Sequence, residues 1–393
     1  MFPDIPRDGI VIDYASAHMI MNRFGGPTCA KTWEADGTVI IPDVFAYLDT
    51  PDLKDAMDLE FDIYRHHHRQ LLGKRRLGWL RNMFFSLIQQ LTRQDLVWYA
   101  LAVACRPDHN FRLITHPYIT KDTNVNEPTG FLHLDLNVAR FVKDGHGANL
   151  LSSTLSLDDE DDDGCTVVVK GFHRHIGEWQ TARIRRGDKS SSYTTNFTPT
   201  RYTAKDRALW GQPTPQPCPA FGIRITRVEI PHGSTSHSSK RRRLLSAWHM
   251  GVDEMHRQLD IDKTLSWEEL SACHRDLEAP AREPSGQTPQ YGFPPYRFPA
   301  SEVLGSISPI GDALIGRRKY TDPRVQHDLR ILFGEDSEAA RDLVERHRAE
   351  AVKQYFLAFQ RLEQLERECF GENSYFYQRD QGFEEAARPD LSD

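Results

Sequence analysis

His133 and Asp135 stand two residues apart in GFLHLDLNVARF, a stretch rich in β-formers. On a strand, residues i and i+2 point to the same face. The spacing therefore sets an imidazole beside a carboxylate. A second histidine from elsewhere completes a 2-His-1-carboxylate triad, a donor set suited to non-haem iron(II) that leaves coordination positions open. His232 is the leading choice for that histidine, because it closes the alternating stretch 223–230. His237 is its rival. Ser234, two residues beyond His232, shares its face. If the strand at His232 and a strand beginning near Arg243 form a hairpin, Arg243 returns beside Ser234. The planar guanidinium fork binds a carboxylate in bidentate fashion, and a serine adds a hydroxyl donor. An anionic ligand clamped there reaches the metal with its other end.

Other residues carry weaker signals. His274-Arg275-Asp276 repeats the spacing, but in a charged, helix-like stretch where i and i+2 do not share a face. His66-His67-His68 diverge by about 100° per residue on a helix and read as surface. Lys240–Arg243 read alternatively as an exposed basic turn or a nuclear signal, a reading kept for Arg241 and Arg242, and Asp158–Asp163 read as a solvated acidic loop, a second cation site being the minor alternative. Phe131 and Asn137 share the expected strand face of His133, and Tyr118, Thr120 and Lys121 lie on the preceding strand; these are the substrate-facing candidates. Trp248 and His249 read as core. Nucleophile-elbow, Walker and dinucleotide-binding motifs are absent.

The elements that must position these residues divide the chain in three. Residues 1–105 carry one short strand at Gly37–Ile41 and helix-like stretches at 51–72 and 79–104, the former with Leu53, Met57, Phe61 and Tyr64 at helical spacing. Residues 106–250 read as short strands separated by Gly, Asp, Ser and Pro, the pattern of an antiparallel sandwich, jelly roll or barrel. Within them, 190–220 reads as a long loop. Residues 251–393 form an irregular and helical extension. It includes a Pro-rich run at 275–300 and one long helix over Ser337–Cys369, whose apolar stripe packs on the core or on a second subunit. The expectation is one α+β domain.

Composition narrows the partners. The net charge of −7 supplies no global field for nucleic acid or an anionic membrane. No stretch approaches the ~20 apolar residues of a membrane span. Nothing at residues 1–20 reads as a signal peptide. Six scattered cysteines without a C-x-x-C fit neither a disulfide framework nor a thiolate zinc site, so the expected setting is the reducing cytosol.

Over roughly residues 30–250 the sequence resembles the phytanoyl-CoA dioxygenase branch of the iron(II)/2-oxoglutarate-dependent oxygenases. WEADGTVIIPDVF resembles that family's N-terminal segment, and HLDLN stands where its first histidine and aspartate fall. DDGCTVVVKGFHRHI resembles a further family strand, with Lys170 replacing the usual proline. PHGS with an arginine eleven residues after its histidine matches the distal histidine, the serine and the co-substrate arginine. The resemblance implies a double-stranded β-helix (jelly-roll, cupin-like) core. It implies His133, Asp135 and His232 as iron ligands, with Ser234 and Arg243 on the distal carboxylate of 2-oxoglutarate. With O2, such a site oxidises a small molecule by hydrogen abstraction and releases succinate and CO2. The outcome is hydroxylation, desaturation or cyclisation. The overall look is similar to fungal secondary-metabolism members, some of which handle amino-acid-derived substrates. Two alternatives stand beside it: a non-catalytic binding protein on the same scaffold, and a metal-dependent oxygenase that uses no 2-oxo acid. A homodimer through the C-terminal helix is a further expectation.

Overall fold

The computed structural model describes residues 12–72, 87–107, 112–115, 120–123, 132–145, 147–148, 150–187, 198–199, 202–234, 242–251, 304–314, 318 and 320–382. Phe131, Tyr118, His237, His274, Asp276 and the Pro-rich run lie outside them. The side chains of Thr120, Lys121 and Trp248 are likewise outside the described set.

Two antiparallel sheets form the centre. The first is ordered β1 (Thr38–Ile41), β9 (Ile223–Arg227), β5 (Leu150–Ser156), β11 (Arg242–Gly251) and β2 (Arg112–Thr115), with β3 (Thr120–Thr123) also paired to β11. The second is ordered β7 (Thr198–Pro199), β4 (His133–Leu134), β10 (His232–Ser234), β6 (Thr166–Val168) and β8 (Thr214–Gln216). The sheets touch through polar side chains: Arg224 and Arg242 of the first both hydrogen-bond Thr166 of the second.

Helices cover the other face of the first sheet. α1 (Tyr14–Gly25) and α5 (Leu96–Cys105) pack together there, and every residue of α5 is buried. A helix apolar all round is a core helix. It reaches the sheet through the Trp98 indole N–H, which donates to Ser153 Oγ at 2.9 Å, with His249 Nε2 at 2.7 Å from the same oxygen. His249 is thus a core residue, as its sequence context suggests. Asp95 caps α5 by accepting from the Val97 and Trp98 amides. The same carboxylate accepts from Arg348 of the C-terminal helix Ser337–Phe359 at 2.9 Å, which ties the C-terminal layer to the N-terminal one. A continuous buried apolar cluster runs through all three segments of the chain.

Several local expectations are corrected. The strand at His133 stops after Leu134, because Asn137 caps helix α6 (Val138–Asp144): its side chain accepts from the Arg140 amide, and Gly145 closes the helix at φ 71°. The expected long loop 190–220 contains helix α8 (Ala204–Trp210), begun by a capping box in which Thr203 and Asp206 satisfy each other's backbone amides. The long C-terminal helix is two, Ser337–Phe359 and Leu362–Phe370, separated at Gln360-Arg361. The break turns Glu366 inward onto His67, the two 2.8 Å apart and both buried. His67 is therefore a core residue in contact with a buried carboxyl group, and not surface. Of the expected apolar stripe, Ala340, Leu343, Val344, Tyr355 and Leu362 are buried within this chain, while Val352, Phe359 and Leu365 are partly exposed. Among the described residues no helix is long and apolar enough to cross a membrane.

Candidate metal centre

The centre is built by one register. His232 on β10 is the antiparallel partner of His133 on β4, and directly opposed residues project to the same face. Their ring centroids are 4.4 Å apart. Asp135 sits in the bend just after β4 and is 9% exposed. Its Oδ1 lies 3.5 Å from His133 Nε2 and its Oδ2 3.3 Å from His232 Nε2. The three ligand-type atoms lie within 4.8 Å of one another, and among the described residues no other His, Cys, Asp or Glu group does so.

Neighbours fix the orientation of this set. His232 Nδ1 is 3.0 Å from the Ile230 carbonyl. A carbonyl only accepts, so Nδ1 carries the proton and Nε2 is turned to the centre, the arrangement metal-binding histidines use. Burial pushes the Asp135 carboxyl up, but the charge and hydrogen bond of His232, the charge of His133 and a hydrogen bond from Ser152 pull it down to about 2. Burial works against a charged His232, and Asp135 more than compensates, so its affinity for a proton is raised. A carboxylate held ionised between two imidazole nitrogens fits a divalent cation of intermediate softness.

The rest of the cavity wall departs from the sequence expectation. β10 and β11 belong to different sheets and do not pair, so no hairpin brings Arg243 beside Ser234. Arg243 lies on the helix side of β11. It bonds Asp158 through Nε at 3.0 Å and Nη2 at 2.6 Å, reaches Asp58 of α3 (Pro51–Leu72), and lies 5.5 Å over the Phe61 ring. Arg242, expected in an exposed basic turn, is 4% exposed and faces the second sheet. Successive strand residues face opposite ways, so the interior receives one of these two arginines and not both.

Arg242 has company. Its Nε donates to Glu160 Oε1 at 2.7 Å and its Nη2 to Thr166 Oγ1 at 3.1 Å. Arg224 of β9 reaches the same Thr166 oxygen at 2.6 Å, Thr154 Oγ1 at 3.3 Å, the Gln216 carbonyl at 2.7 Å, and Glu160. Glu160 is buried and also accepts from the Cys218 amide at 2.9 Å. Burial raises its carboxyl, but Arg224 and Arg242 bring it below its ordinary value. The acidic run is thus not wholly solvated: Asp158 and Glu160 are ion-pair residues.

This cationic cluster shares the chamber with the histidines. Thr166 is the direct cross-strand partner of Ser234, which is two residues from His232 on the same strand. That step is about 7 Å. From the opposite sheet, Ser152 reaches Asp135 and Thr154 reaches Arg224, again two residues apart on one face. Both sheets independently set the triad and the arginine pair side by side. Ser234 lies on the strand of His232 but opposite Thr166 rather than beside Arg243, and Asn137 is occupied in capping α6. Sequence reasoning missed Arg224, Arg242, Glu160, Ser152 and Thr166. The available signal was the polar alternation of Ser152, Thr154 and Ser156 and of Arg224 and Thr226, which reads equally well as a solvent-facing edge.

No family model matches the chain, and no curated protein matches it. Solved structures to which the chain is similar include EvdMO1, at 17% identity and TM-score 0.39, covering 58% of this chain and 50% of that one. The match thus spans half the length of EvdMO1. EctD from S. alaskensis in its apoform is similar at 14% identity and TM-score 0.41, covering 64% and 81%. The epimerase SnoN in complex with Fe3+, alpha ketoglutarate and nogalamycin RO is similar at 14% identity and TM-score 0.35, covering 61% and 85%.

Proposed function

We propose that the chain is an iron(II)- and 2-oxoglutarate-dependent oxygenase built on a double-stranded β-helix, of the phytanoyl-CoA dioxygenase-like branch. The observation that carries this reading is the convergence of His133, Asp135 and His232 in a chamber that also holds a buried arginine pair. Those three side chains would hold the metal. Iron so held, with 2-oxoglutarate and O2, supplies oxidation of an unactivated C–H bond, succinate and CO2 being co-products.

The chain's own residues do the rest. Ile230 and Ser152 orient His232 and Asp135. Arg242, with Ser234 and Thr166 beside it, takes the role expected of Arg243 and receives the far carboxylate of 2-oxoglutarate. Leu134 and Val168, both fully buried next to the histidines, keep water from the back of the site. The substrate is a small biosynthetic molecule, amino-acid-derived, and the outcome is hydroxylation, desaturation or cyclisation in the cytosol.

One observation favours a second reading. The arginine that the family resemblance assigns to the co-substrate is engaged by Asp58 and Asp158 outside the chamber. An iron oxygenase that uses no 2-oxo acid fits that arrangement. Succinate release from purified protein with iron(II), 2-oxoglutarate and O2, with and without candidate amino-acid-derived substrates, separates the two. Iron-dependent O2 uptake that does not require 2-oxoglutarate establishes the second; full activity in His232→Ala removes both.

A further inference from the structure

The Arg224–Glu160–Arg242 cluster contains two guanidiniums and one carboxylate, all buried. Glu160 binds both arginines, one through each oxygen. Its remaining capacity goes to the Cys218 amide. The cluster therefore carries one positive charge more than it neutralises internally. Among the described residues, the hydrogen bonds of Arg242 run through Nε and Nη2 and none runs through Nη1. Arg224 Nε is buried without a hydrogen-bond partner.

We propose that Glu160 is a positioning residue that sets the charge of the chamber's anion subsite, cancelling one arginine so that the subsite takes a singly charged carboxylate and rejects a doubly charged anion such as phosphate. This rests on the reading that the chamber receives a carboxylate end. The reason is Coulombic. Inside the protein, one unit of charge a few ångströms away changes anion affinity by far more than in water. With Glu160 in place, a carboxylate neutralises the cluster. A phosphate dianion would leave an uncompensated negative charge in a site with little water. Glu160 also holds the Arg242 fork by Nε and Nη2, and Nη2 reaches Thr166, the cross-strand partner of Ser234, which leaves Nη1 for a ligand.

The test is calorimetric titration of the full-length, metal-free protein with butyrate, a monoanion, and with inorganic phosphate at a pH where phosphate is the dianion. Wild type is expected to prefer butyrate, Glu160→Gln to bind phosphate about tenfold or more tightly than wild type does, and Arg242→Ala to lose both anions. Unchanged phosphate affinity in a cooperatively melting Glu160→Gln overturns the inference, since loss of a merely structural contact lowers the melting temperature without changing anion preference. Wild type that takes the phosphate dianion as readily as butyrate also overturns it, with no variant needed. If Glu160→Gln does not fold, Glu160→Asp keeps the charge and must keep the rejection of phosphate; gain of phosphate binding there refutes the idea. Succinate formation by wild type without a Glu160-dependent preference refutes this inference alone. The preference without succinate formation refutes the oxygenase reading and leaves this inference standing.

Discussion

His133 and His232 face each other across one antiparallel register position, and the Asp135 carboxylate reaches the Nε2 atoms of both. Two residues almost a hundred positions apart are thereby held as rigidly as neighbours in one strand pair. Metal affinity depends on that pairing. Asp135→Asn keeps the shape but removes the charge between the rings, and His232→Ala removes a ligand. Each is expected to weaken iron(II) or cobalt(II) binding by about 100-fold or more, beyond the 10- to 100-fold typical of supporting residues. Anaerobic metal titration checks this without reference to turnover.

Adjacent arginines on β11 are expected to separate cleanly in function. Arg242→Ala should raise the KM for 2-oxoglutarate strongly. Arg243→Ala should leave that KM within a factor of about two while lowering stability by about 2 kcal/mol, the loss of charge-assisted hydrogen bonds to Asp158 and Asp58. Steady-state kinetics and urea unfolding on the same preparations decide it. A large KM effect confined to Arg243→Ala would restore the assignment made from sequence spacing.

Glu60 carries a pH dependence away from the site. Burial pushes its carboxyl up from 4.5 to about 7, despite hydrogen bonds from the Tyr355 and Tyr64 hydroxyls and the Ile88 and Leu87 amides. Between those values the folded protein retains a proton that the unfolded chain has released. Stability therefore falls as pH rises from about 4.5 to about 7, by at most about 3 kcal/mol, and is flat above. Glu60→Gln, whose amide can donate to Tyr355, should flatten the profile across that window. Denaturant unfolding at pH 5 and pH 8, values on the order of the two limits, measures the difference.

Gly37 closes helix α2 (Cys29–Asp36) at φ 70°, and its amide donates to the Trp33 carbonyl. A Cβ there would lie 2.5 Å from His173 Nδ1 and 2.9 Å from Ile230 Cδ1. Ile230 supplies the carbonyl that orients His232. Gly37→Ala is expected to cost about 1–2 kcal/mol from backbone conformation alone, and to weaken metal binding through Ile230. A thermal melt and a metal titration should move together; a shift in melting temperature with unchanged metal affinity would show that the two ends of this contact are independent.

Much of the fold was legible locally. The strand at Thr38–Ile41, helix α3 and the strands around 150–156, 166–168, 223–227 and 242–251 follow from apolar period and turn residues. Capping chemistry at Asn137 and Thr203 was equally local, and it outweighed the β-forming composition around it. His67 and Glu366 were not legible, because a buried polar contact between residues 299 positions apart leaves no mark on either local pattern.

The sequence by itself narrowed the donor set to His133, Asp135 and either His232 or His237, with serine and arginine downstream. It also determined that Arg242 and Arg243 face opposite ways, since side-chain direction alternates along any strand. Which of them faces the metal was decided only by tertiary structure. β11 lies in the sheet opposite β10, in a register that sets Leu244 against Ser156 and puts Arg242 in the chamber with Arg224 and Glu160. A shift of one residue exchanges the two faces. That register is held by long-range contacts such as Trp98 to Ser153 and Arg243 to Asp58, which no local spacing encodes.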